Sequence, residues 1–476
     1  MNRIPFGARP RAVLATLSLL PLLTGDPWSR FRGPNGEGVA EASLPAALSK
    51  EENLRWRTEV PPGYSSPVLT DDAIFLTAAD GVALLTICLD RETGEERWRR
   101  AAPKELESPH AGVNSPVSPT PATDGENVFV FFERFGLVSY DAAGEERWRR
   151  EMGPYKTPYG LAASPILVDD RLVLLCDQDV DSFLLAVDAA TGEERWRTPR
   201  VGVTHGFSTP IVRTADDGTR ELIVSGSYEV AGYDAATGAR RWWVTGMAWQ
   251  AKSVPVLDGD VLYVHSWMAA PSELGVPKVT MEWSEARETY DADEGGTLSR
   301  AEAKDLGIVP VWFLYDLDKS GELDATEWAF VRARSFAESG LYAIRLGGEG
   351  DLTEDAILWR AKRSLPNIPS PLLHGGFLYL LKEGGILSAL DPADGSTAKS
   401  ERVEGTGYFA SPVAAGDRLL LASHEGTLTV LSAGADFEVV SVGELEEEIW
   451  ATPAISGRHV FVRTQRALYC FEDRSF

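Results

Sequence analysis

Acidic residues recur at a fixed spacing in one stretch of the chain. Residues 316–327 read DLDKSGELDATE, with oxygen-bearing side chains at positions 1, 3, 5, 9 and 12 and a glycine at position 6. A hard cation such as Ca²⁺ needs about six to eight oxygen ligands around one point. The spacing therefore predicts a calcium-binding loop. Its expected ligands are Asp316, Asp318, Ser320, the carbonyl of Glu322, Asp324 and Glu327.

The pattern occurs a second time, at residues 291–302, as DADEGGTLSRAE. Position 5 is Gly295, which offers no side-chain ligand, so we expect this loop to bind calcium more weakly. Two aligned copies favour an EF-hand pair over a solvated acidic stretch. Leu298 and Leu323, at position 8 of the two loops, are then expected to pair with each other between the loops. The ligands expected in this loop are Asp291, Asp293, the carbonyl of Thr297, Ser299 and Glu302.

Residues 1–25 are predicted to be a secretory signal peptide, because arginines precede an apolar run at residues 12–23. No later stretch has the roughly 20 apolar residues that a membrane-spanning helix needs. The mature chain is therefore expected to be soluble and exported, either periplasmic or extracellular. The formal net charge of −25 argues against a nucleic-acid partner, since that affinity depends on cationic contacts with phosphates.

The three cysteines each lie in an apolar, strand-like run and are predicted to be core residues. Disulfide pairing is the alternative for an exported protein. An odd count without an adjacent pair or a CxxC motif gives no disulfide framework. The residues are Cys88, Cys176 and Cys470.

The rest of the chain repeats one unit. An aspartate-led turn and a tryptophan-bearing strand, DRETGEERW at residues 90–98, recur at 141–148, 188–196 and 234–242 and more weakly at 391–395. We expect the tryptophans to pack the blades together. Repeats of roughly forty residues with four short strands each predict an all-β, eight-bladed β-propeller. Each of the eight units opens with Ser, Thr or Val before a proline, at Pro67, Pro121, Pro165, Pro210, Pro255, Pro371, Pro412 and Pro453.

The order of the repeats predicts the boundaries. The last unit lacks a fourth strand, and residues 53–58 match the other fourth strands, so the two ends of the chain are expected to close the ring together. The fifth unit is much longer than the others, which predicts that the small α-helical EF-hand pair is inserted between its second and third strands. The expected segments are a signal peptide at 1–25, a leader at 26–52, blades one to four and the start of blade five at 53–267, the insertion at 268–337, and the remaining blades at 338–476.

The repeat D-x-x-T-G-E-x-x-W resembles that of the pyrroloquinoline-quinone-like (PQQ-like) propellers. This family includes quinoprotein alcohol dehydrogenases and the lipoprotein of the outer-membrane β-barrel assembly machine. Residues 28–38, WSRFRGPNGEG, also look like the leader of exported bacterial members. The resemblance implies the fold but not a quinone, because the repeat residues hold blades together. The adjacent Cys-Cys pair of the dehydrogenases and the acylated cysteine of the lipoproteins are both missing from this chain.

Aromatic and polar residues precede the first strand of several units. In a ring they would line the mouth of the central channel, beneath the calcium lobe, and would suit a flat cofactor, a sugar or a peptide. The alternative is that they plug the channel and pack between blades. These funnel residues are Tyr64, Phe207, Phe409 and Trp450, each three residues before a proline, with Tyr159, His205, Trp249, Lys252, Asn367 and Tyr408 nearby.

These observations favour an exported calcium-binding propeller that acts as a binding or scaffold protein, with a protein or carbohydrate ligand on its funnel face. The alternative is a PQQ-dependent oxidoreductase in which Trp249 or Trp450 stacks on the quinone. No catalytic residue can be assigned for that reaction. A third hypothesis is a protein–protein adaptor in envelope assembly.

Overall fold

Eight β-sheets, each built on four antiparallel strands, follow one another along the chain in the computed structural model. It describes residues 28–106, 114–268 and 277–475, so the predicted signal peptide and residues 269–276 of the predicted insertion lie outside the described part. In most pairs of neighbouring sheets the first strands contact each other, which places them around a central channel. This arrangement confirms the predicted eight-bladed propeller. Within the described residues, no helix is both long and apolar enough to cross a bilayer.

The leader and the first three blades occupy the N-terminal part of the chain. The leader holds a 3-10 turn at Pro34–Gly36 and β1 (Val39–Ala40), and the closing strand β2 (Leu54–Glu59) follows it. Blade one comprises β3 (Val68–Leu69), β4 (Ala73–Asp80), β5 (Ala83–Asp90) and β6 (Glu96–Ala101). Blade two comprises β7 (Ala122–Thr123), β8 (Asn127–Phe132), β9 (Gly136–Asp141) and β10 (Glu146–Glu151). Blade three comprises β11 (Ile166–Val168), β12 (Arg171–Cys176), β13 (Phe183–Asp188) and β14 (Glu194–Pro199).

Blade four comprises β15 (Ile211–Thr214), β16 (Arg220–Gly226), β17 (Glu229–Asp234) and β18 (Arg240–Thr245). Blade five and its insertion comprise β19 (Val256–Asp258), β20 (Val261–Ser266), α1 (Trp283–Tyr290), β21 (Leu298–Ser299), 3-10 turns at Glu302–Leu306 and Val309–Leu314, β22 (Glu322–Leu323), α2 (Ala325–Phe336), β23 (Gly340–Arg345), β24 (Gly350–Asp351) and β25 (Ile357–Ala361).

Blade six comprises β26 (Leu372–His374), β27 (Phe377–Leu381), β28 (Ile386–Leu390) and β29 (Thr397–Arg402). Blade seven comprises β30 (Val413–Ala415), β31 (Arg418–Ala422), β32 (Thr427–Ser432) and β33 (Val439–Glu444). Blade eight comprises β34 (Ala454–Ser456), β35 (His459–Arg463) and β36 (Ala467–Glu472), and β2 is its outer strand.

The ring closes by pairing its two ends. β2 lies antiparallel to β36, with Trp56 opposite Cys470 and Arg57 opposite Tyr469. This closing strand was expected from residues 53–58, and the pairing confirms it. Closure gives the eighth sheet four antiparallel strands, as in the other blades, so β36 is paired on both of its edges.

The repeated turn explains why aspartate, glycine and tryptophan recur together. In blade one, Asp90 Oδ1 accepts hydrogen bonds from the N–H groups of Glu92 and Thr93, at 3.0 and 2.9 Å, which fixes the turn. In the next blade, Gly144 lies directly against the ring of Trp98, where a Cβ atom would come within 2.6 Å of the indole. The tryptophan therefore packs one blade onto the turn of the following blade, as expected.

The indole of Trp98 also donates a hydrogen bond to the Ala142 carbonyl at 2.9 Å. The equivalent glycine contacts elsewhere in the ring are Trp56 with Gly94, Trp148 with Gly192, Trp196 with Gly238 and Trp359 with Gly395. Trp242 differs, because it is buried against Gly232 of its own blade. The cysteines are buried free thiols on three different blades, which confirms that they are core residues.

The leader crosses one end of the channel, on the side of the turns between the first and second strands. Its carbonyl, amide and side-chain groups bond to blades one, two, four, six, seven and eight. These bonds join Trp28 to Leu69, Ser29 to Thr123, Asn35 to Val212, Arg32 to Pro371, Gly38 to Ala414 and Ser43 to Gly457. The sequence predicted a leader but gave no sign that it closes the channel.

The helical insertion lies between β20 and β23, the second and third strands of blade five. α1 and α2 are α-helices. The two segments between them, Glu302–Leu306 and Val309–Leu314, have sequences compatible with helices but form 3-10 turns. The short strands β21 and β22 pair antiparallel, with Leu298 opposite Leu323. This is the pairing that was predicted from position 8 of the two acidic loops.

Candidate calcium loops and the channel mouth

The second acidic loop gathers three carboxylates. Ligand oxygens of Asp316, Asp318 and Glu327 all lie within 4.8 Å of one another. Asp316 is held by the indole N–H of Trp312 at 2.9 Å and by the N–H of Gly321. Gly321 has φ +89°, a left-handed conformation that glycine adopts without strain.

Glu327 is positioned from both sides of that loop. Its Oε1 accepts a hydrogen bond from the N–H of Leu317 at 2.7 Å, and its Oε2 accepts one from the N–H of Asp324 at 3.2 Å. In return, Asp324 Oδ1 accepts from the N–H of Glu327 at 2.8 Å, which caps α2. Burial raises the pKa of Glu327 to about 7, because a carboxylate is poorly solvated there.

Other predicted ligands of the second loop lie close by. Ser320 Oγ donates to the Glu322 carbonyl at 3.0 Å, so these two oxygen atoms are adjacent. The carboxylate of Glu322 instead accepts a hydrogen bond from the hydroxyl of Thr297 in the first loop. The two loops are therefore joined by side chains as well as by the β21–β22 pair.

The first loop gathers the matching carboxylates of Asp291, Asp293 and Glu302, again within 4.8 Å. Ser299 donates to Glu302 Oε2 from its N–H at 2.9 Å and from its hydroxyl at 2.7 Å, which lowers the pKa of that carboxyl. Arg287 forms an ion pair with Asp291 at 3.2 Å. The other oxygen of Asp291, Oδ1, is buried and has no hydrogen-bond partner among the described residues.

The lobe has its own apolar core and a contact with the propeller. Buried side chains from both halves meet beneath the paired loops, among them Ala286, Leu298, Ile308, Trp312, Leu323, Trp328 and Val331. On the outside, Leu317 and Phe330 pack against Tyr228 of blade four. The guanidinium of Arg334 lies 5.0 Å from the ring centroid of Trp249, which precedes blade five. The second loop therefore sits directly on the propeller.

A cavity of about 540 Å³ lies where the funnel residues were expected. It is lined by residues that lead into the first strands and by Phe31 from the leader. The funnel residues that line it are Tyr64, Tyr159, Phe207, Lys252, Asn367, Phe409 and Trp450. Tyr408 is not among them, because it is fully buried with its hydroxyl bonded to the Glu404 carbonyl.

Hydroxyl groups form a belt around this cavity. Six of the seven Ser or Thr residues before a strand-opening proline accept a hydrogen bond from the backbone N–H of the corresponding residue in the preceding blade, whereas the Ser66 hydroxyl has no hydrogen-bond partner within the described residues. Donor and acceptor are 2.9–3.0 Å apart in the six pairs Ser66–Thr120, Thr120–Ser164, Ser164–Thr209, Val254–Ser370, Ser370–Ser411 and Ser411–Thr452. The Ser/Thr-Pro steps were visible in the sequence, but this role was not.

Trp450 lies in the middle of an aromatic stack. Tyr64 lies 4.5 Å from it with planes at 11°, and Phe409 lies 4.5 Å from it with planes at 6°. Both faces of the indole are therefore covered, so its predicted role as a stacking partner for a quinone does not fit. Trp249 does not fit that role either, since it lies outside the cavity lining, with Arg334 over its ring and His205 against it.

Lys252 is the cation of the cavity lining. Its Nζ donates to Asn367 Oδ1 at 2.7 Å. The carboxylate of Glu383 accepts from the N–H groups of Asn367 and Ile368, at 2.6 and 2.7 Å. Burial lowers the pKa of Lys252 to about 8, and Glu383 opposes part of that shift. The cavity thus combines aromatic rings, hydroxyls and one amine that could meet an anionic group.

Comparison with known families gives a match that spans the propeller. The model of the family described as outer membrane protein assembly factor BamB matches residues 41–274 and 180–475. The chain is 23% identical to BamB of Burkholderia pseudomallei (strain K96243) over 378 residues, covering 78% of this chain and 85% of that protein. It is 21% identical to BamB of Yersinia pestis over 386 residues, covering 78% and 87%.

Solved structures show the same fold at low sequence identity. BamB from Moraxella catarrhalis matches with a TM-score of 0.54 and 11% identity, over 88% of this chain and 99% of that one. Quinohemoprotein alcohol dehydrogenase from Comamonas testosteroni matches with a TM-score of 0.60 and 14% identity, over 94% and 80%. Both an assembly factor and a redox enzyme share this architecture, so function must be argued from the sites.

Proposed function

This chain belongs to the family of the outer membrane protein assembly factor BamB, and from that premise we propose that it is an exported, calcium-binding scaffold of the cell envelope. The propeller holds a ligand at its channel mouth, and Ca²⁺ in the helical lobe keeps that lobe on the propeller. The name of the family supports a role with protein partners. The proposed location is the periplasm or the cell exterior.

The observation that carries the proposal is the position of the second acidic loop. Its carboxylates converge, and Leu317, the residue after Asp316, packs with Phe330 onto Tyr228 of blade four. Ordering this loop around a cation therefore orders the surface that contacts the propeller. A calcium ion here is structural, because it holds the lobe in place rather than facing the cavity.

The residues present fit a hard cation. Three carboxylates, a serine hydroxyl and a backbone carbonyl in each loop are the oxygen donors that Ca²⁺ takes. The buried, unpartnered Oδ1 of Asp291 supports the first loop as a further site, and the ion pair with Arg287 makes it the weaker one. Extracellular calcium modules work at dissociation constants of about 10⁻⁴ to 10⁻³ M, so constitutive occupancy is expected.

The channel mouth fits a peptide or a carbohydrate better than it fits a quinone. The indole proposed to stack on a flat cofactor is already covered on both faces by Tyr64 and Phe409, and the sequence has no adjacent cysteines. The aromatic rings, the hydroxyl belt and Lys252 suit a peptide or carbohydrate that carries an anionic group. The channel mouth is therefore assigned a binding role.

Titration of the protein with pyrroloquinoline quinone at saturating calcium tests this choice. The scaffold proposal predicts no saturable heat of binding for the quinone and no reduction of an artificial electron acceptor when alcohols or aldoses are added. Stoichiometric uptake of the quinone would instead assign the chain to the oxidoreductases of this fold.

A further inference from the structure

The outer strand of blade seven differs from the other outer strands. Every blade except the fourth ends on a strand that pairs with another strand on one edge only within the described residues, and such edges are usually protected from pairing with other chains by charged side chains. Seven of the eight outer strands contain at least one arginine or lysine, namely β2, β6, β10, β14, β18, β25 and β29. β33, with the sequence VVSVGE, contains neither.

The valines of β33 are exposed. Val439, Val440 and Val442 expose 51%, 46% and 44% of their surface. β33 pairs with β32 on one edge, and within the described residues no strand pairs with its other edge. An apolar, β-branched edge strand with free backbone groups is a template for adding a further strand.

The leader holds β33 in place without covering these valines. Ser441 Oγ donates to the Ala46 carbonyl at 2.6 Å, and Leu48 lies directly against Gly443. The strand is thus supported from one side, and its edge is preformed. A partner that adds to it does not have to order the strand first.

Blade four shows that an outer strand of this propeller accepts an additional strand. There, β24 from the following blade pairs in parallel with β18, with Trp242 opposite Gly350 and Trp243 opposite Asp351. The addition pairs the backbone of a short extended segment with the free edge of an outer strand. The same geometry at β33 would have to come from another segment.

The charges around β33 select the partner. Exposed carboxylates flank the valines at Asp436, Glu438 and Glu444. Lys399 of the neighbouring blade is occupied, because it donates to the Phe437 carbonyl and pairs with Glu401. Two copies of β33 side by side would bring these acidic groups together, which disfavours a second copy of this chain.

We propose that β33 is a docking edge for an extended segment of a partner protein in which apolar residues alternate with basic ones. The backbone of that segment pairs with the free edge, its apolar residues cover the valines, and its basic residues meet Asp436, Glu438 and Glu444. This goes beyond the proposed calcium scaffold and does not depend on it, since β33 lies in blade seven and the acidic loops are inserted in blade five.

The test uses the full chain and a fluorescent synthetic peptide of alternating valine and lysine. The Val440→Glu/Val442→Glu double variant adds negative charge and removes apolar contact at the edge. A peptide that is bound by charge alone would bind this variant more tightly than wild type. Docking onto β33 instead predicts that the affinity of the variant for the peptide is weakened by about tenfold or more. The matched control is Thr397→Glu/Ala398→Glu, which adds the same charge at exposed positions of β29 in blade six and should bind like wild type.

Two further measurements decide the mechanism. A peptide with alternate N-methylated amides keeps the charges and the valines but cannot pair as a strand, so it should not bind. Glu327→Gln should leave peptide binding unchanged, which separates this proposal from the calcium proposal. Equal binding of the N-methylated peptide, undiminished binding to the double variant, or self-association of the chain through β33 in sedimentation would overturn the inference.

Discussion

The backbone N–H of Thr120 donates to the hydroxyl oxygen of Ser164 in the next blade, at 3.0 Å, and both residues are buried. The same bond recurs around the channel, so neighbouring blades are joined at their inner ends by hydroxyl acceptors. A buried N–H group without a partner is costly. The Ser/Thr-Pro step is therefore a means of closing the ring as well as the start of a strand.

Removing one hydroxyl should destabilise the propeller. Ser164→Ala leaves the buried N–H of Thr120 without its acceptor, which is expected to lower the free energy of unfolding by about 1 to 3 kcal/mol. Urea denaturation measures the change. Ser164→Thr is the control, because threonine keeps the oxygen and occupies the equivalent position at Thr120 and Thr209. Equal stability of the alanine and threonine variants would contradict this role.

The glycine of the repeated turn should tolerate no side chain. Gly192 has φ +74°, and a Cβ there would come within 2.5 Å of the Trp148 ring. Gly202 has φ +84° but nothing within 4 Å, so Gly202→Ala reports backbone strain alone, about 1 to 2 kcal/mol. Gly192→Ala should lower the melting temperature more, because about 1 to 3 kcal/mol of overpacking is added. Similar losses in the two variants would show that the indole contact is unimportant.

Lys252 should make stability depend on pH in a defined window. Its pKa falls from 10.5 in the unfolded chain to about 8 in the folded one, so the unfolded chain binds more protons between these values. The free energy of unfolding therefore gains a contribution that rises with pH from about 8 to 10.5. The stability advantage of Lys252→Met over wild type should shrink across that window.

The control for this measurement is Lys252→Arg, because a guanidinium stays charged throughout this window. The difference in unfolding free energy between Lys252→Arg and Lys252→Met should not change between pH 8 and 10.5. A constant difference between wild type and Lys252→Met over the same window would mean that Lys252 is not held in a buried, poorly solvated position.

Calcium removal should loosen the contact between the lobe and blade four. Without the cation, three carboxylates of the second loop repel one another, and Leu317 and Phe330 lose their fixed position against Tyr228. Hydrogen exchange should then rise in residues 325–336 and around Tyr228 but stay unchanged in blades seven and eight. Phe330→Ala should raise exchange around Tyr228 even with calcium present. Uniform exchange with and without calcium would contradict the coupling.

Much of the fold could be predicted from the sequence because its signals are local and repeated. The turn from Asp90 to Trp98 and the proline steps recur often enough to give the number of blades. The leucine at position 8 of each acidic loop indicates how the two loops align, which predicted the pairing of Leu298 with Leu323.

The remaining features depend on contacts between residues far apart in sequence. Nothing local indicates that Tyr64 and Phe409 sandwich Trp450, or that Arg32 of the leader reaches the Pro371 carbonyl. The funnel aromatics were predicted by their position before the prolines. Which of their faces stay free depends on how blades one, seven and eight meet, and one sequence does not contain that information.

Calorimetric titration of the chain with calcium tests the central claim most directly. Wild type should take up calcium with a tighter site in the second loop, and Glu327→Gln should lose that site, because a carboxamide cannot supply the bidentate charge. Glu322→Gln is the control, since its carboxylate bonds to Thr297 and only its carbonyl is a proposed ligand; it should bind as wild type does. Unchanged calcium stoichiometry in Glu327→Gln, or no uptake by wild type, would contradict the account.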